Sequence, residues 1–463
     1  MCNMREKKVL FGISARCQKI IDGGILDMET MTGLFDNMSE KWGTKSYGLI
    51  IEEPKYLEEC EIIITAAEKY QVDILRQLLD LGYRQISLVV DSKEKGYEIR
   101  ELDFRGRSFD DSGETLILLY LQHQSYSGIS AITYLMEHGL IDTYGYRVKV
   151  FEGKEKNEDY YEDLIRARYF ITERDLPIHS EKITTIQLWH GFPLKCMGTM
   201  DAQFDVSRRE SVQANWNRYD YIASYGLNYT TFISACFGTV FNKFVVTGMP
   251  RNDLLFCTDG RSNIEKKFPQ SIGKKVIFYM PTFREFAGRM NGNKEGYIFY
   301  WPDFDIPSFE AFCAEHNLYF IFKLHPSDSS KVKEWCYESE YIGLLTDELL
   351  GTQSTYEFLN GTDALLTDYS SVYFDYLLLD KPIIFTNRDE QEYIQNRGVI
   401  LEPLDFWRPG LLVNNMEDLK VALENVANNI DEFKDKRKEL IPFVHKYTDG
   451  KSTQRLYDFI RSL

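Results

Sequence analysis

The stretch TDALLTDYSSVYFDYLLLDKPIIF, residues 362–385, has the pattern of a βαβ unit. The pattern predicts, in order, a short buried strand at 364–366, a tight turn at 368–371 (DYSS), a helix at 372–379 and a second strand from 383. A strand-to-helix turn with small hydroxyl residues can present free N–H groups and the positive helix end to a phosphate. Taken alone, the turn is explained more simply by Ser370 or Ser371 capping the helix.

The composition is that of a packed, acidic, globular protein. Its 463 residues, 44% of them hydrophobic, suggest roughly three domains. A net charge of −17 argues against general nucleic-acid binding, because a phosphate backbone would be repelled. We find no apolar run near the roughly 18 residues of a membrane span and no signal-peptide pattern. The eight cysteines lack CxxC spacing, which favours reduced thiols in a cytoplasm over disulfides or a zinc site.

The first 110 or so residues alternate strands and helices in a Rossmann-like manner. The predicted strands are 7–12, 47–51, 61–65 and 86–90, and the predicted helices are 14–23 and 72–81. The dinucleotide fingerprint is degraded, because Gly12, Ser14 and Cys17 occupy its three glycine positions and we identify no acidic residue at the usual spacing of about 20. A structural or partner-docking domain is therefore favoured. The polar segment 91–114 is the expected domain boundary.

The rest of the chain continues the alternation in two series. The predicted strands are 115–121, 146–151, 168–172, 184–189, 243–247, 275–279 and 318–324, and the later helices are 388–397, 416–429, 431–440 and 451–463. Residues 207–229 mix arginines with aromatic residues. They predict an amphipathic helical layer, with a membrane-surface or acceptor-facing helix pair as the alternative.

Four predicted strands lead directly into polar motifs. The motifs are WHG (189–191), PRND (250–253), PTFR (281–284) and KLHP (323–326), and the DYSS turn is a fifth. In open α/β sheets, ligands bind outside the carboxyl ends of the strands. Two such sheets facing each other would direct into one crevice the side chains of His190, Arg251, Arg284, His325, Ser370 and Ser371. That set offers a base and several phosphate donors, and no recognisable metal cage.

The motif series resembles a known family. QLWHGFPLKCMG (187–198), GMPRNDLL (248–255), YMPTFR (279–284), FKLHP (322–326) and the opening stretch resemble the CDP-glycerol glycerophosphotransferases, the family of teichoic-acid primases and polymerases. The spaced DG-KST-R at 449–455 resembles the C-terminal end of that family. The resemblance covers residues 113–463 and leaves the first 110 or so uncovered.

The resemblance implies an α/β fold of GT-B type, with two facing Rossmann-like domains preceded here by an additional Rossmann-like N-terminal domain. The expected boundaries are 1–112 for the N-terminal domain of unassigned role, 113–245 for the acceptor-side domain and 246–463 for the domain that binds a CDP-polyol. This layout also allows the terminal helix to cross back to the preceding domain.

The resemblance also implies a reaction, in which His190 takes the proton of an acceptor hydroxyl that attacks the β-phosphorus of a CDP-linked polyol and releases CMP. His325, the second catalytic candidate, would stabilise phosphate charge together with Arg284 and the Ser370/Ser371 turn. Asp368, also a substrate-binding candidate, is expected to orient that turn or to hydrogen-bond a histidine or the ribose rather than to act in acid–base chemistry. The remaining substrate-binding candidates are Gly191, Lys195, Arg251, Asp253, Thr282, Lys323 and Thr367. No cofactor or metal is expected to be required, and the donor would be CDP-glycerol or CDP-ribitol.

The implied partners are the CDP-polyol, an undecaprenyl-linked acceptor for a teichoic acid or capsule, and the cytoplasmic membrane surface, without nucleic acid. The protein would then be cytoplasmic and peripheral at the inner face of the membrane, attached through residues 207–229, with the N-terminal domain open to partner docking. Two other functions remain open, a GT-B glycosyltransferase that uses a nucleotide sugar and a non-catalytic binding scaffold. The sequence leaves undecided the polyol, primase or polymerase action, the acceptor, the N-terminal ligand and the oligomeric state.

Overall fold

The computed structural model describes residues 7–109, 114–122, 124–152, 155–282, 299, 304–324, 329, 332–333, 336, 339–387 and 389–463. Within these limits the chain divides into two compact units. The first unit comprises residues 1–120, 146–170 and 175–185, and the second comprises residues 121–145, 171–174 and 186–463. The sequence-based division at 112 and 245 stays a prediction.

The first sheet has seven described strands, in the order β3-β4-β2-β1-β5-β6-β7. They are β1 (Lys7–Phe11), β2 (Gly33–Phe35), β3 (Lys45–Ser46), β4 (Leu49–Glu52), β5 (Cys60–Ile64), β6 (Gln85–Ser92) and β7 (Gly96–Asp103). The inner strands pair parallel, with Leu10 of β1 opposite Leu34 of β2 and Ile63 of β5, whereas β3 and β7 pair antiparallel at the two edges. The helices are Ala15–Asp22 and Glu68–Asp80.

Three features of this sheet were not predicted from the sequence. The segment 91–114, whose role as a domain boundary stays a prediction, contains β7, whose polar residues fit an edge strand that faces solvent. β2 was not predicted, because a three-residue strand shows no period. Directly after β2 lies Asp36, the acidic residue that the sequence analysis failed to identify; its carboxylate accepts from the backbone N–H of Ile13 at 2.9 Å and from Nζ of Lys41 at 2.9 Å.

The second sheet has six described strands, in the order β13-β12-β11-β10-β8-β9. They are β8 (Leu116–Tyr120), β9 (Arg147–Phe151), β10 (Ala167–Thr172), β11 (Thr184–Gln187), β12 (Tyr221–Ser224) and β13 (Phe244–Val246). The helices associated with this part of the chain are Gly128–Glu137, Glu158–Arg166, Val206–Trp216 and Leu227–Phe237. Ser127 begins the first of them, because its Oγ accepts the N–H of Ile129 at 3.0 Å.

The segment 207–229 differs from its prediction, because β12 lies between its two helices. Four of its five aromatic residues, Trp216, Tyr219, Tyr225 and Tyr229, are buried, and Tyr221 is half-buried. The Trp216 ring, for example, stacks on Phe237 at a centroid distance of 3.8 Å. The expectation of a basic and aromatic membrane patch here is therefore wrong.

The third sheet has six described parallel strands, in the order β16-β15-β14-β17-β18-β19. They are β14 (Lys275–Met280), β15 (Leu318–Phe322), β16 (Ile342–Leu344), β17 (Ala364–Thr367), β18 (Ile383–Thr386) and β19 (Leu411–Val413). All four residues of β17 are buried, which explains its continuous apolar run. The helices are Pro250–Cys257, Gly260–Lys267, Ile306–Glu315, Asp347–Leu350, Tyr356–Leu359, Val372–Tyr376, Glu390–Arg397, Leu404–Trp407, Met416–Ala427, Lys434–Val444 and Ser452–Ser462.

These parallel sheets with connecting helices confirm the predicted α/β class, and the GT-B layout stays a prediction. The βαβ unit of the opening stretch is also present, as β17, the helix Val372–Tyr376 with a 3-10 turn over Leu377–Leu379, and β18. Among the described helices, none is long and apolar enough to cross a membrane.

Candidate active site

The WHG motif forms a tight turn after β11. Trp189 adopts a left-handed backbone with φ of 57°, and its N–H donates to Oε1 of Gln187 at 2.8 Å. Its indole ring lies 3.9 Å from the imidazole of His190 and packs edge-on against Trp216 and Phe237. The aromatic contacts therefore fix the direction in which His190 leaves the strand.

Gly191 brings this turn against the DYSS turn. A Cβ added at Gly191 would lie 2.4 Å from Oγ of Ser371 and 3.2 Å from Nη2 of Arg251. Its φ of 151° is also rarely adopted by residues with a side chain. Only glycine permits so close an approach, and the approach places His190 and the 368–371 turn side by side within the second unit.

Arg251 connects the two turns. Its Nη1 donates to the carbonyl oxygen of His190 at 2.7 Å, and its Nη2 donates to Oδ2 of Asp375 at 2.5 Å. The buried Asp375 carboxylate also accepts from Tyr225 Oη at 2.7 Å, Asn252 Nδ2 at 2.9 Å and Tyr356 Oη at 2.6 Å. The guanidinium of Arg251 thus holds the WHG turn, and its predicted role as a phosphate donor stays a prediction.

Asp375 was missed by the sequence analysis, although it follows the DYSS turn by one helical turn. Burial works to raise the pKa of its carboxyl, but the charge of Arg251 and the tyrosine hydroxyls outweigh burial and lower it. Burial likewise opposes the charge of Arg251, yet Asp375 raises the pKa of that guanidinium well above its usual value. Both side chains are thus charged, and an acidic residue on the apolar helix VYFDY was the available signal.

His190 is held in its neutral, proton-accepting form. Burial, followed by the charges of Arg174, Arg251 and Lys195, lowers its pKa to about 3, against a small opposing contact with the Glu173 backbone. Among the described residues, its buried Nδ1 has no hydrogen-bond partner. The imidazole can therefore accept a proton, with cations nearby that suit an anionic ligand.

The DYSS turn is organised by Asp368. Its Oδ1 accepts the N–H of Ser370 at 3.2 Å and the N–H of Thr282, from the PTFR motif, at 2.7 Å. Ser371, which precedes the helix Val372–Tyr376, makes no side-chain capping bond there. Among the described residues, the buried Oγ1 of Thr282 has no hydrogen-bond partner.

Lys195 lies on a short bridge to a segment that sequence reasoning did not select. It pairs with Val399 in an antiparallel bridge, beside Arg397 at the end of the helix Glu390–Arg397. Burial, and then the charge of Arg397, lower the pKa of the Lys195 ammonium to about 8, while Asp368 works to raise it. Lys195 thus lies close enough to interact with both Arg397 and Asp368 of the DYSS turn, and an anion would relieve its repulsion from Arg397.

The carboxylate of Asp253 binds the first turn of the C-terminal helix. Its Oδ1 accepts the N–H of Ser452 at 2.8 Å, and its Oδ2 accepts the N–H of Thr453 at 2.7 Å. The PRND motif and the DG-KST-R motif are therefore joined through the first turn of the helix Ser452–Ser462. Both carboxylate oxygens are engaged by the protein itself.

Thr367 and Lys323 also have protein partners. The buried Oγ1 of Thr367 donates to the carbonyl oxygen of Met280 at 2.7 Å. Nζ of the buried Lys323 donates to Oδ1 of Asp347 at 2.8 Å. Asp347 was not selected from the sequence.

Two predicted site residues, Arg284 and His325, lie outside the described residues. Within the part of the chain that the structure describes, no group of three or more His, Cys, Asp or Glu side chains could hold a metal ion.

Glu173 is a further buried carboxyl beside the WHG turn. Its Oε2 accepts the N–H of Gly128 at 2.7 Å, and its exposed fraction is 3%. Burial raises its pKa, against the hydrogen bonds of Ser127 and Gly128. It follows β10 directly, and this position at a strand end was the signal that sequence reasoning overlooked.

The strand ends of the first sheet are closed by protein side chains. Arg16 donates through Nη1 to the carbonyl oxygen of Thr65 at 2.9 Å, and through Nη2 to that of Val89 at 3.2 Å and to Oδ1 of Asp91 at 2.9 Å. The guanidinium therefore occupies the edge at which a doubly wound sheet binds a ligand.

The family profile and the relatives of this chain indicate the same family. The profile of the CDP-glycerol:poly(glycerophosphate) glycerophosphotransferases matches residues 103–462. The teichoic acid ribitol-phosphate polymerase TarK of Staphylococcus aureus is 32% identical over 235 residues, covering 49% of this chain and 42% of TarK. The chain thus spans about two fifths of that relative. A teichoic acid glycerol-phosphate primase of Bacillus subtilis is 28% identical over 388 residues, covering 77% of this chain and 90% of the primase.

The fold has a solved counterpart in the wall teichoic acid polymerase TagF. That structure superposes with a TM-score of 0.61 at 22% identity, covering 77% of this chain and 90% of the TagF chain. On the basis of the profile match over most of its length, this chain belongs to the CDP-glycerol:poly(glycerophosphate) glycerophosphotransferase family, a family of phosphotransferases.

Proposed function

We propose that the protein transfers polyol phosphate from a CDP-linked polyol to a hydroxyl of a lipid-linked teichoic-acid or capsule acceptor and releases CMP. Glycerol phosphate is the proposed group, because the glycerol-phosphate primase aligns over 77% of this chain and 90% of its own. Ribitol phosphate is the competing group, since TarK aligns over 49% of the chain at slightly higher identity.

The observation that carries the proposal is the contact between the WHG and DYSS turns. Gly191 abuts Ser371, and Arg251 holds the His190 carbonyl. A neutral imidazole thus lies beside a turn with half-buried serines and the cations Lys195 and Arg397. Phosphoryl transfer needs mainly such positioning and electrostatic stabilisation.

The proposed step balances as an in-line displacement at phosphorus. The acceptor oxygen forms a bond to the β-phosphorus, and the bond from that phosphorus to the bridging oxygen breaks. The acceptor proton passes to the imidazole of His190, and CMP leaves with the bridging oxygen. The negative charge of the donor offsets the cations that depress the His190 pKa, so donor binding makes the imidazole a stronger base.

Several side chains would bind rather than react. Lys195, Ser370 and Ser371 would contact the diphosphate, and His325 and Arg284 keep the phosphate-stabilising roles that the family resemblance implies. Asp253, Thr367 and Lys323 would act on the donor only indirectly, because their polar groups engage protein partners. No metal or cofactor is required by this proposal.

We place the nucleotide on residues 246–463 and the acceptor on residues 113–245, as a GT-B arrangement requires.

We also place the protein at the inner face of the membrane, where it would meet an undecaprenyl-linked acceptor. With four of the five aromatic residues of 207–229 buried, the attachment surface would be the exposed side chains of Leu227, Phe406 and Phe443, beside the exposed Lys446. The rings of Phe406 and Phe443 are 5.4 Å apart, so these two side chains form one apolar patch.

The test of the reaction class is product analysis with three donors: CDP-glycerol, CDP-ribitol and a nucleotide sugar, each with a lipid-linked acceptor. CMP from one CDP-polyol supports the proposal and identifies the polyol. A nucleoside diphosphate from the nucleotide sugar would replace the proposal with glycosyl transfer. If the protein binds a donor but turns over none of the three, its function would be that of a non-catalytic binding scaffold.

A further inference from the structure

The first unit contains a cavity that plays no part in the reaction described above. It has a volume of about 570 Å³ and lies at the amino ends of three strands, where Leu116 begins β8, Arg147 begins β9 and Ala167 begins β10. The end of the helix Glu68–Asp80 forms another wall. That helix precedes residue 103, at which the family match begins, so the extra N-terminal segment helps to build this cavity.

The lining is strongly basic although the chain carries a net charge of −17. Five cationic side chains line the cavity, against the two carboxylates Asp80 and Glu114. Three of the five, namely Arg147, Arg168 and Lys182, are exposed. Within the described residues these three have no ion-pair partner. Cations therefore outnumber carboxylates by five to two in this lining.

The other two cations make the wall rigid. The buried Arg76 donates through Nη2 to the carbonyl oxygens of Leu164 at 2.9 Å and Ile165 at 2.8 Å, and through Nη1 to Oγ of Ser180 at 2.7 Å. Arg166 is paired with Glu162 at 3.1 Å. The Arg76 bonds fasten the helix Glu68–Asp80 to the end of the helix Glu158–Arg166 and to Ser180. The ion pair of Arg166 lies within that second helix, so this side of the cavity is held by bonds between two helices.

We propose that this cavity binds the phosphodiester groups of the acceptor polymer, a poly(polyol phosphate) chain. The inference rests on the proposed function, since that polymer is its acceptor and product. Spaced single negative charges suit three separated cations, and the hydroxyls of the polyol can donate to Asp80 and Glu114. A concave site admits a flexible chain, whereas a flat bilayer surface cannot enter it.

The binding should be weak for one phosphate and additive for a chain, because each exposed ion pair contributes little and is screened by salt. The test measures fluorescence anisotropy of a labelled glycerol-phosphate oligomer with the full chain, at low and at physiological salt. The triple variant Arg147→Glu, Arg168→Glu, Lys182→Glu should bind the oligomer at least tenfold more weakly than the wild type. Inorganic phosphate alone should compete only at far higher concentration.

The matched control carries the same charge change elsewhere in the first unit. Lys19, Lys93 and Lys95 are exposed and lie outside the cavity, so their replacement by Glu should leave oligomer binding within about twofold. Equal losses in both triple variants would show a general charge effect and overturn the proposal. Unchanged binding in the cavity variant would also overturn the proposal, and so would binding to phosphatidylglycerol vesicles but not to the oligomer.

If the cavity variant does not fold, as judged by circular dichroism, the double variant Arg147→Ala, Lys182→Ala replaces it with an expected loss of at least threefold.

The outcome is separable from that of the proposed function. CMP release from a short acceptor should be unchanged in the cavity variant, while extension of a long acceptor should slow. CMP release by the wild type without oligomer binding would overturn the inference alone. The absence of CMP release with every CDP-polyol would overturn the proposed function and remove the ligand on which this inference rests.

Discussion

At the residue scale, Gly191 decides how closely the two turns approach. An alanine Cβ would lie 2.4 Å from Oγ of Ser371, so one turn would have to shift. A displacement of about 1 Å at a reacting centre can cost about 100-fold in rate. We predict that Gly191→Ala lowers kcat for CMP release by about that factor while circular dichroism stays unchanged. The control is Gly145→Ala, which has a φ of 75° and nothing within 4 Å of the new Cβ; a similar loss in that variant would contradict the explanation.

The proposed contact of the Lys195 ammonium with the donor would make donor binding depend on pH. Its pKa of about 8 means that the group is charged below pH 8 and becomes neutral above it, mainly because burial and Arg397 disfavour the charge. We predict that kcat/KM for CDP-glycerol falls about tenfold for each pH unit above 8, since this ratio reports the free enzyme. Lys195→Arg should remove this alkaline decline, because guanidinium stays charged. A decline of the same size in that variant would assign the pH dependence to another group.

At the element scale, Asp253 connects the PRND helix to the C-terminal helix. Its carboxylate accepts two backbone N–H groups of the first turn of Ser452–Ser462, where a negative charge also suits the helix dipole. We predict that Asp253→Ala lowers the free energy of unfolding by about 1–2 kcal/mol, measured by urea denaturation. Replacement of the exposed Glu432 by Ala should change it by less than about 0.5 kcal/mol. No loss in the Asp253 variant would show that the cap is not a stabilising contact.

The sequence was most informative for elements with a long or continuous apolar pattern. The unit around β17 and the DYSS turn was predicted nearly to its ends, because a buried parallel strand and its helix need that pattern. β2 and β19 were not predicted, since a strand of three residues is too short to show a hydrophobic period. The aromatic residues around β12 were interpreted as a surface patch because sequence spacing alone does not show which side of an element is buried.

The motifs of the site could be predicted from the sequence, but the hydrogen bonds and ion pairs among its residues could not. His190, Gly191 and the serine turn were identified from their strand ends, and the structure brings them together. Asp375 and Arg397 were missed, because a charged residue within a helix is usually a surface residue. The roles of Asp253 and Thr367 emerged only from the structure, since a motif does not reveal whether its polar atoms face a ligand or the protein.

At the scale of the whole molecule, the proposed membrane attachment would depend on a small exposed apolar surface. Phe406 and Phe443 are 39% and 46% exposed, and Leu227 is 69% exposed. We predict that the double variant Phe406→Ser, Phe443→Ser binds phosphatidylglycerol vesicles at least fivefold more weakly in a sedimentation assay. The control double variant Ile272→Ser, Val421→Ser changes apolar residues that are 63% and 52% exposed. Equal losses in the two variants would rule out this surface as the attachment site.

The central claim is that His190 takes the acceptor proton during transfer of polyol phosphate. The direct test is the rate of CMP release from CDP-glycerol and from CDP-ribitol, with a lipid-linked acceptor, for the wild type, His190→Gln and the control His138→Gln, whose histidine is exposed. We predict release from one donor by the wild type and the control, and a loss of at least 1,000-fold in the His190 variant with unchanged thermal unfolding. CMP release by a folded His190 variant at the wild-type rate would contradict the claim.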